Sequence, residues 1–271
     1  MAANPLDLDA YLERVHYDGP LTPCVETLRR LHRAQVLHIP FENLDLFLGR
    51  PIQLDEASVV KKLVDERRGG YCYELNGLFL LVLRHLGFTV TPLAARVFHG
   101  GAPAQKSHQL TLVEVEGERW LADVGFGGNG LLDPLPLALE REFHQDFDTF
   151  RLLPDPKLGF IIQYRAEESW HGLHAFSLEE HYPADYRMMN HYNSTSPAAL
   201  FTQHIVCTRP TGETRFTLLD DELKARSQHE TTITHLDSQK AYRDALQDVF
   251  GIVLPPGSEL RSPFSSFAMT L

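Results

Sequence analysis

The sequence predicts an α+β protein, with an N-terminal helical domain, a small central antiparallel sheet or barrel, and a mixed C-terminal unit. Two patterns carry this reading. Apolar residues repeat with a helical period as far as about residue 87, and from Phe88 they fall into short alternating segments between turns rich in Gly, Pro and Asp. The length of 271 residues exceeds one typical domain and accommodates two or three compact units. The expected division is 1–87, 88–185 and 186–271.

In the first unit, Thr22 followed by Pro23 reads as an N-cap with proline at the first helical position, leading into Val25, Leu28 and Leu31 on one face. A second helix starts after Asp55, turns Val59, Val60, Leu63 and Val64 inward, and stops at Gly69-Gly70. A third begins at Cys72, runs through Leu75, Leu78, Phe79, Val82 and Leu83, and ends at Gly87. The middle unit reads as strands over 90–98, 150–153, 159–165 and 175–178, with a hairpin over 107–128. The last unit has strands over 205–209 and 213–219 and a helix from about Ser238 to Phe250.

Cys72 is the most informative residue. It lies in Arg68-Gly69-Gly70-Tyr71-Cys72-Tyr73-Glu74-Leu75-Asn76, a glycine-led turn opening into a helix. Unpaired amides and aligned peptide dipoles at a helix N-terminus favour negative charge, and the thiolate is the attacking form of cysteine. The other reading is a buried thiol acting as an apolar filler.

The hairpin supplies a base and a group to orient it. With a two-residue loop at Glu116-Gly117, Val115 faces Glu118 and the register carries His108 toward Gly125. His108 and Asp123 then share one face as diagonal neighbours, whereas a one-residue slip would separate them. Asp123 interrupts the apolar run Trp120-Leu121-Ala122-Asp123-Val124, where an unpaired carboxylate would be costly, so it calls for a partner. A thiol, an imidazole and a carboxylate in this order form a nucleophile, base and orienter: Cys72, His108 and Asp123.

These residues, with Ile39-Pro40-Phe41-Glu42-Asn43-Leu44 upstream and Tyr192-Asn193-Ser194-Thr195-Ser196-Pro197 and Phe201-Thr202 downstream, resemble the arylamine N-acetyltransferases. The resemblance runs from about residue 5 into the last third. It implies a helical domain, a β-barrel domain and an α/β lid around a cysteine-protease-like catalytic core. It also implies ping-pong transfer from acetyl-coenzyme A to an aromatic amine, hydrazine or hydroxylamine through an acetyl-cysteine. Phe41, Val97 and Phe126 would be apolar walls of the acceptor pocket, or ordinary core. Tyr192, Thr195 and Ser196 would approach the coenzyme, or form a polar turn capped by Pro197. No metal is implied. Other uses of the same triad are an amide synthase of secondary metabolism and a transglutaminase-like or cysteine hydrolase.

The formal net charge of −11 disfavours general nucleic-acid or anionic-membrane binding. It also means that local donors must hold the phosphates of a polyanionic coenzyme. Lys106 reads either as such a donor or as a solvated surface lysine. The turn Gly125-Phe126-Gly127-Gly128-Asn129-Gly130 offers backbone amides, with Gly127 and Gly128 the candidate contacts. Its formal G-x-G-x-x-G match is discounted, because Pro134 and Pro136 oppose the helix that a dinucleotide fold needs next. Cys24, Cys72 and Cys207 are odd in number and far apart, which disfavours a disulfide framework or zinc site. Asp7, Asp9, Glu13 and Arg14 break any secretory apolar region, and no later run is long enough to span a bilayer, so cytoplasmic residence is expected.

Overall fold

The computed structural model describes residues 6–99, 101–260 and 269–270. Its N-terminal part comprises α1 (Leu8–Arg14), α2 (Val25–His38), a two-residue strand β1 (Phe41–Glu42), α3 (Leu44–Phe47), α4 (Glu56–Val60) and α5 (Cys72–His85). Helix α4 continues into a wider π-type segment over Lys61–Asp65. Asp55 caps α4 by accepting the Ser58 amide at 3.0 Å. Helix α2 starts two residues later than its Thr22-Pro23 signal suggests. The extended residue there is Cys24, whose sulfur accepts the Thr27 amide at 3.5 Å.

Helix α5 is the pillar of this part. Leu75, Leu78, Phe79, Val82 and Leu83 repeat at helical spacing and are at most 1% exposed. Each such side chain contributes about 1.5–3 kcal/mol when withdrawn from water. Gly87, at φ 86°, ends the helix in the left-handed conformation that glycine adopts without strain.

The middle part is an eight-stranded antiparallel sheet that nearly closes into a barrel. Its strands are β2 (Thr89–His99), β3 (Ala102–Val115), β4 (Glu118–Ala122), β5 (Leu135–Pro136), β6 (Glu142–Gln145), β7 (Asp148–Asp155), β8 (Gly159–Ala166) and β9 (Ser169–Phe176), in spatial order 5-4-3-2-9-8-7-6. The β3–β4 hairpin has the register read from its loop, from Val115 opposite Glu118 to Thr111 opposite Ala122. Glu116 and Gly117 both take positive φ, 54° and 78°, as a two-residue turn matching strand twist requires. Leu110, Leu112 and Leu121 point into the barrel core, while Val113, Val115, Trp120 and Ala122 pack against the helices.

Helix α6 (Pro183–Thr195) and α7 (Leu200–Gln203) follow. The polar-turn reading of the segment around Tyr192 is thereby corrected: Tyr192 and Thr195 lie in α6, and Ser196 is its C-cap. Pro183 at the first turn and Asp185, whose carboxylate accepts the Tyr182 amide at 2.8 Å, start a helix that the apolar pattern does not announce. Strands β10 (Val206–Pro210), β11 (Thr214–Leu219), β12 (Glu222–Ser227) and β13 (Thr231–His235) form a second antiparallel sheet. Helix α8 (Gln239–Asp244), extended by a π-type segment over Ala245–Val249, packs Tyr242 and Leu246 onto this sheet with Phe250 beyond. A last pair, β14 (Glu259–Leu260) and β15 (Met269–Thr270), completes the described chain. Strand β1 adds to the edge of the second sheet, with Phe41 opposite Thr208 and Glu42 opposite Cys207. The N-terminal segment before Cys72 is thus clamped to the C-terminal sheet.

Candidate active site

The seat of Cys72 follows from close backbone approaches in the glycine-led turn. A side chain on Gly69 would come within 2.3 Å of the Pro40 carbonyl oxygen, and one on Gly70 within 2.9 Å of the Glu74 carboxylate. Gly70 bridges in parallel to Phe41, and its carbonyl accepts the Glu42 amide at 2.9 Å. Under the turn lies a buried charge network. Arg68 donates to Glu42 at 2.6 Å and to Asp45 at 3.2 Å, and Lys62 donates to Asp45 at 2.6 Å and to Glu74 at 2.7 Å. Glu74 also accepts the Tyr71 amide at 3.0 Å, pinning the first turn of α5. Burial pushes the Glu74 carboxyl up to about 7, against the pull of Lys62.

His108 comes from β3, and Asp123 follows directly after β4. The His108 Nε2 lies 2.7 Å from Asp123 Oδ2, and both residues are at most 2% exposed. With Nε2 committed to the carboxylate, Nδ1 is the ring nitrogen not engaged by Asp123, and Cys72 at the start of α5 favours the charged imidazole. The Cys72 thiol also points to the Ser107 carbonyl at 3.7 Å. Burial opposes a charge on His108, but Asp123 overrides it and, with Cys72, pushes the imidazole up to about 10. Asp123 in turn is held far below the usual carboxylate range: burial opposes its charge, and His108 outweighs that burial.

Three residues outside the predicted set hold Asp123 in place. Asn76, four residues after Cys72 on α5, donates Nδ2 to Asp123 Oδ1 at 3.0 Å and to the Gln109 carbonyl at 2.7 Å, and accepts the Val124 amide at 3.0 Å. His174 on β9 reaches Asp123 Oδ2 at 3.2 Å. His32 on α2 accepts the Asp123 backbone amide through Nε2 at 3.1 Å, which leaves the proton on Nδ1 for the Leu132 carbonyl at 3.0 Å. Burial lowers both histidines, His32 to about 4, so both are neutral near pH 7. The helical offset of four from Cys72 was a readable signal for Asn76. Nothing local marks His32 or His174 among the fourteen histidines. His108, Asp123 and His174 also have ligand atoms within 4.8 Å of one another, as a metal site would, but here those atoms bond to each other.

Among known proteins, the model of the N-acetyltransferase family matches residues 24–259. The arylamine N-acetyltransferase / N-hydroxyarylamine O-acetyltransferase of Salmonella typhimurium is 42% identical over 204 residues, covering 74% of this chain and 72% of that protein. An arylamine N-acetyltransferase of Mycolicibacterium smegmatis is 36% identical over 260 residues, covering 92% and 93%. The chain belongs to the arylamine N-acetyltransferase family. Its solved relatives agree in fold. The Salmonella typhimurium enzyme superposes with a TM-score of 0.85 at 37% identity, covering 93% of this chain and 92% of that one. The Mycobacterium marinum arylamine N-acetyltransferase solved in complex with CoA gives 0.86 at 34% identity, covering 91% and 93%.

Against this family background, the remaining predicted residues fall into two groups. Phe126 packs edge-on to His108, with ring centroids 5.2 Å apart, and Val97 stands opposite His174 in the β2–β9 pair. Phe41 is buried against Phe201, and Phe41, Phe126, Gly127 and Gly128 line one small cavity of about 20 Å³ beside Asp123. The glycine turn is tightly packed. A side chain on Gly127 would come within 3.0 Å of Phe41 and Thr208, and the Gly128 amide donates to the Thr208 hydroxyl at 3.0 Å. No helix follows the turn, which leads through 131–134 into β5. Lys106 is partnered in this structure, by Glu179 at 3.0 Å and His181 at 3.0 Å. Tyr192 and Thr195 are exposed on α6, where the Thr195 hydroxyl donates back to the His191 carbonyl. Among the described residues no helix is long and apolar enough to cross a membrane.

Proposed function

We propose that this chain acetylates arylamines, arylhydrazines and arylhydroxylamines by a ping-pong reaction in which Cys72 carries the acetyl group. The observation that supports it most directly is the buried 2.7 Å pair of His108 and Asp123, with the Cys72 thiol at the start of α5 directed at the carbonyl of Ser107, the residue before His108. Cys72 attacks the thioester carbonyl of acetyl-coenzyme A as the thiolate, with the proton on His108. Collapse of the tetrahedral adduct releases the coenzyme, which takes that proton and leaves as the thiol. The arylamine then attacks acetyl-Cys72, His108 accepts the amine proton, and the thiolate of Cys72 returns with the amide product.

In this reading Asp123 fixes the tautomer and ring plane of His108 and stabilises its charge, within a core of cysteine-protease type. The first amides of α5 are the oxyanion donors, each worth about 3 kcal/mol in comparable sites. Phe41, Val97 and Phe126 form the acceptor walls, where a flat ring would stack. The coenzyme phosphates fall to Lys106, which would exchange Glu179 for phosphate, and to the turn at Gly127 and Gly128. Tyr192, Thr195 and Ser196 line the approach from α6. The three units would divide at about residues 87 and 185. The net charge of −11 weighs against nucleic-acid or anionic-membrane partners.

The test is intact mass after incubation with acetyl-coenzyme A. One acetyl group should appear on the wild-type chain, be absent from Cys72→Ala, and be discharged by an arylamine faster than by water. An unmodified wild-type chain would refute the reading, and discharge by water alone would make the protein a hydrolase.

A further inference from the structure

A cavity of about 920 Å³ lies between the connection over residues 46–56, helix α5 and helix α6. It opens on the far side of α5 and β3 from Cys72 and His108, and of the residues proposed above for the coenzyme only Thr195 reaches its rim. Its wall on β3 is Gln109, whose side chain points to the opposite side of the strand from His108, and its wall on α5 begins at Tyr73. The volume is that of a small-molecule site, and Ile52, Leu80, Pro92 and Tyr186 give it an apolar lining.

Two independent features say that the space is for a ligand. The first is Gly77, on the cavity wall in the middle of α5. Glycine is the poorest helix former after proline, and it is usually kept inside a helix by close packing. A side chain on Gly77 would meet nothing within 4 Å, so packing does not require glycine here. An alanine or larger residue would instead project into the cavity.

The second feature is charge. Arg50, Arg84 and Arg187 line the cavity, and none of them makes an ion pair among the described residues. The facing acids are Asp55, whose carboxylate already caps α4, and Glu56, while His181 and His191 also line the site. Three guanidinium groups against two carboxylates leave a local positive surplus in a chain of net charge −11. Asn190 adds a polar point: its Nδ2 donates to the Ile52 carbonyl at 3.1 Å, and its Oδ1 is buried without a partner among the described residues.

We propose that this cavity is a second ligand site, which takes an amphipathic organic anion: an apolar or aromatic body with one carboxylate or sulfonate head. The head meets the rim arginines and the body lies along Gly77 and Tyr186. A hydroxyl or amide donor in the body would satisfy Asn190 Oδ1.

The experiment uses full-length Cys72→Ala protein in saturating coenzyme A, which removes acetyl transfer and fills the coenzyme site. The probe is 8-anilinonaphthalene-1-sulfonate, followed by fluorescence and competed with decanoate. One saturable site is expected, with decanoate displacing the probe. Arg84→Ala/Arg187→Ala should weaken binding about fivefold or more, and Gly77→Leu should abolish it by filling the space. Both arginines are exposed, so the double variant decides the matter even where Gly77→Leu fails to fold. Markedly weaker probe binding with coenzyme A than in a parallel titration without it, absence of a saturable site, or a smaller effect of the double variant would each overturn the proposal. None of these results bears on acetylation of Cys72.

Discussion

His174 donates its Nε2 proton to Asp123 across 3.2 Å, at the same carboxylate oxygen that holds His108 at 2.7 Å. Two imidazoles therefore converge on one atom, and their rings lie 5.1 Å apart. Only one of them can be charged without repulsion. Burial lowers His174, and the neighbouring His108 lowers it further, whereas Asp123 and Cys72 raise His108. His174 is a positioning residue by this geometry: it limits how Asp123 can rotate and leaves the charge to His108.

Replacing His174 by Phe removes one hydrogen bond to a buried carboxylate, an interaction worth about 1.5–3 kcal/mol. The expected outcome is a fall of roughly tenfold or more in kcat/KM for acetyl-coenzyme A. His174→Gln, which retains an N–H donor, should recover part of it. Equal losses in the two variants would mean that the ring only fills space.

Gly125 ties the same carboxylate to helix α5, which carries Cys72. Its amide donates to Asp123 Oδ1 at 3.2 Å, and a side chain on it would come within 2.7 Å of Asn76 Nδ2 and 3.0 Å of the Cys72 carbonyl oxygen. Gly125→Ala must therefore displace Asn76 from Asp123 or α5 from β4. Turnover should drop by about 100-fold for a displacement of this kind, with the far-ultraviolet circular dichroism unchanged. Gly212→Ala, where a side chain meets nothing within 4 Å, is the control. Equal activity in the two variants would remove Gly125 from the catalytic frame.

The contrast between these residues explains what the sequence could tell. Cys72 was legible because its glycine turn and helix start are local. His108 and Asp123 were legible because one two-residue loop propagates a fixed register, and the observed pairing from Val115–Glu118 to Thr111–Ala122 follows it. His174 and His32 reach Asp123 from β9 and α2, at sequence separations of 51 and 91. No periodicity links such positions; only barrel closure and helix docking bring them together. Helix α6 was missed for a different reason. Its buried residues are only Tyr186 and Asn193, so it lacks an apolar stripe and is held by hydrogen bonds such as that from Asn193 to the Ser107 carbonyl at 3.0 Å. Strand β1 was hidden by its length of two residues.

The charge network beneath Cys72 makes a strong stability prediction. Glu42 is fully buried and Arg68 is 4% exposed. Among the described residues, Arg68→Met would leave the Glu42 carboxylate with only the Leu44 amide, at 2.7 Å, as a hydrogen-bond donor. Breaking one side of a buried pair costs about 3–5 kcal/mol. Urea unfolding should show a loss of that size, while the double variant Arg68→Met/Glu42→Gln, which also removes the stranded charge, should recover part of it. A single variant within about 1 kcal/mol of wild type would contradict the burial of this pair.

His32 contributes to the acid limb of stability. Its folded pKa is depressed from 6.5 to about 4 by burial, so the unfolded chain takes up a proton before the folded one does. Stability therefore falls as pH drops through this window, and it is fully present only above 6.5. The full depression corresponds to about 3 kcal/mol. His174 adds to the limb in the same direction. Glu74 works against it, since its folded pKa is raised to about 7 and its contribution is lost as pH rises from the unfolded value of 4.5. Comparison with His32→Gln cancels both of these. The difference in unfolding free energy between wild type and variant should shrink or reverse as the pH is lowered from 7 to about 4. A difference independent of pH over that range would mean that His32 is not neutral in the fold, and that its Nε2 does not accept the Asp123 amide.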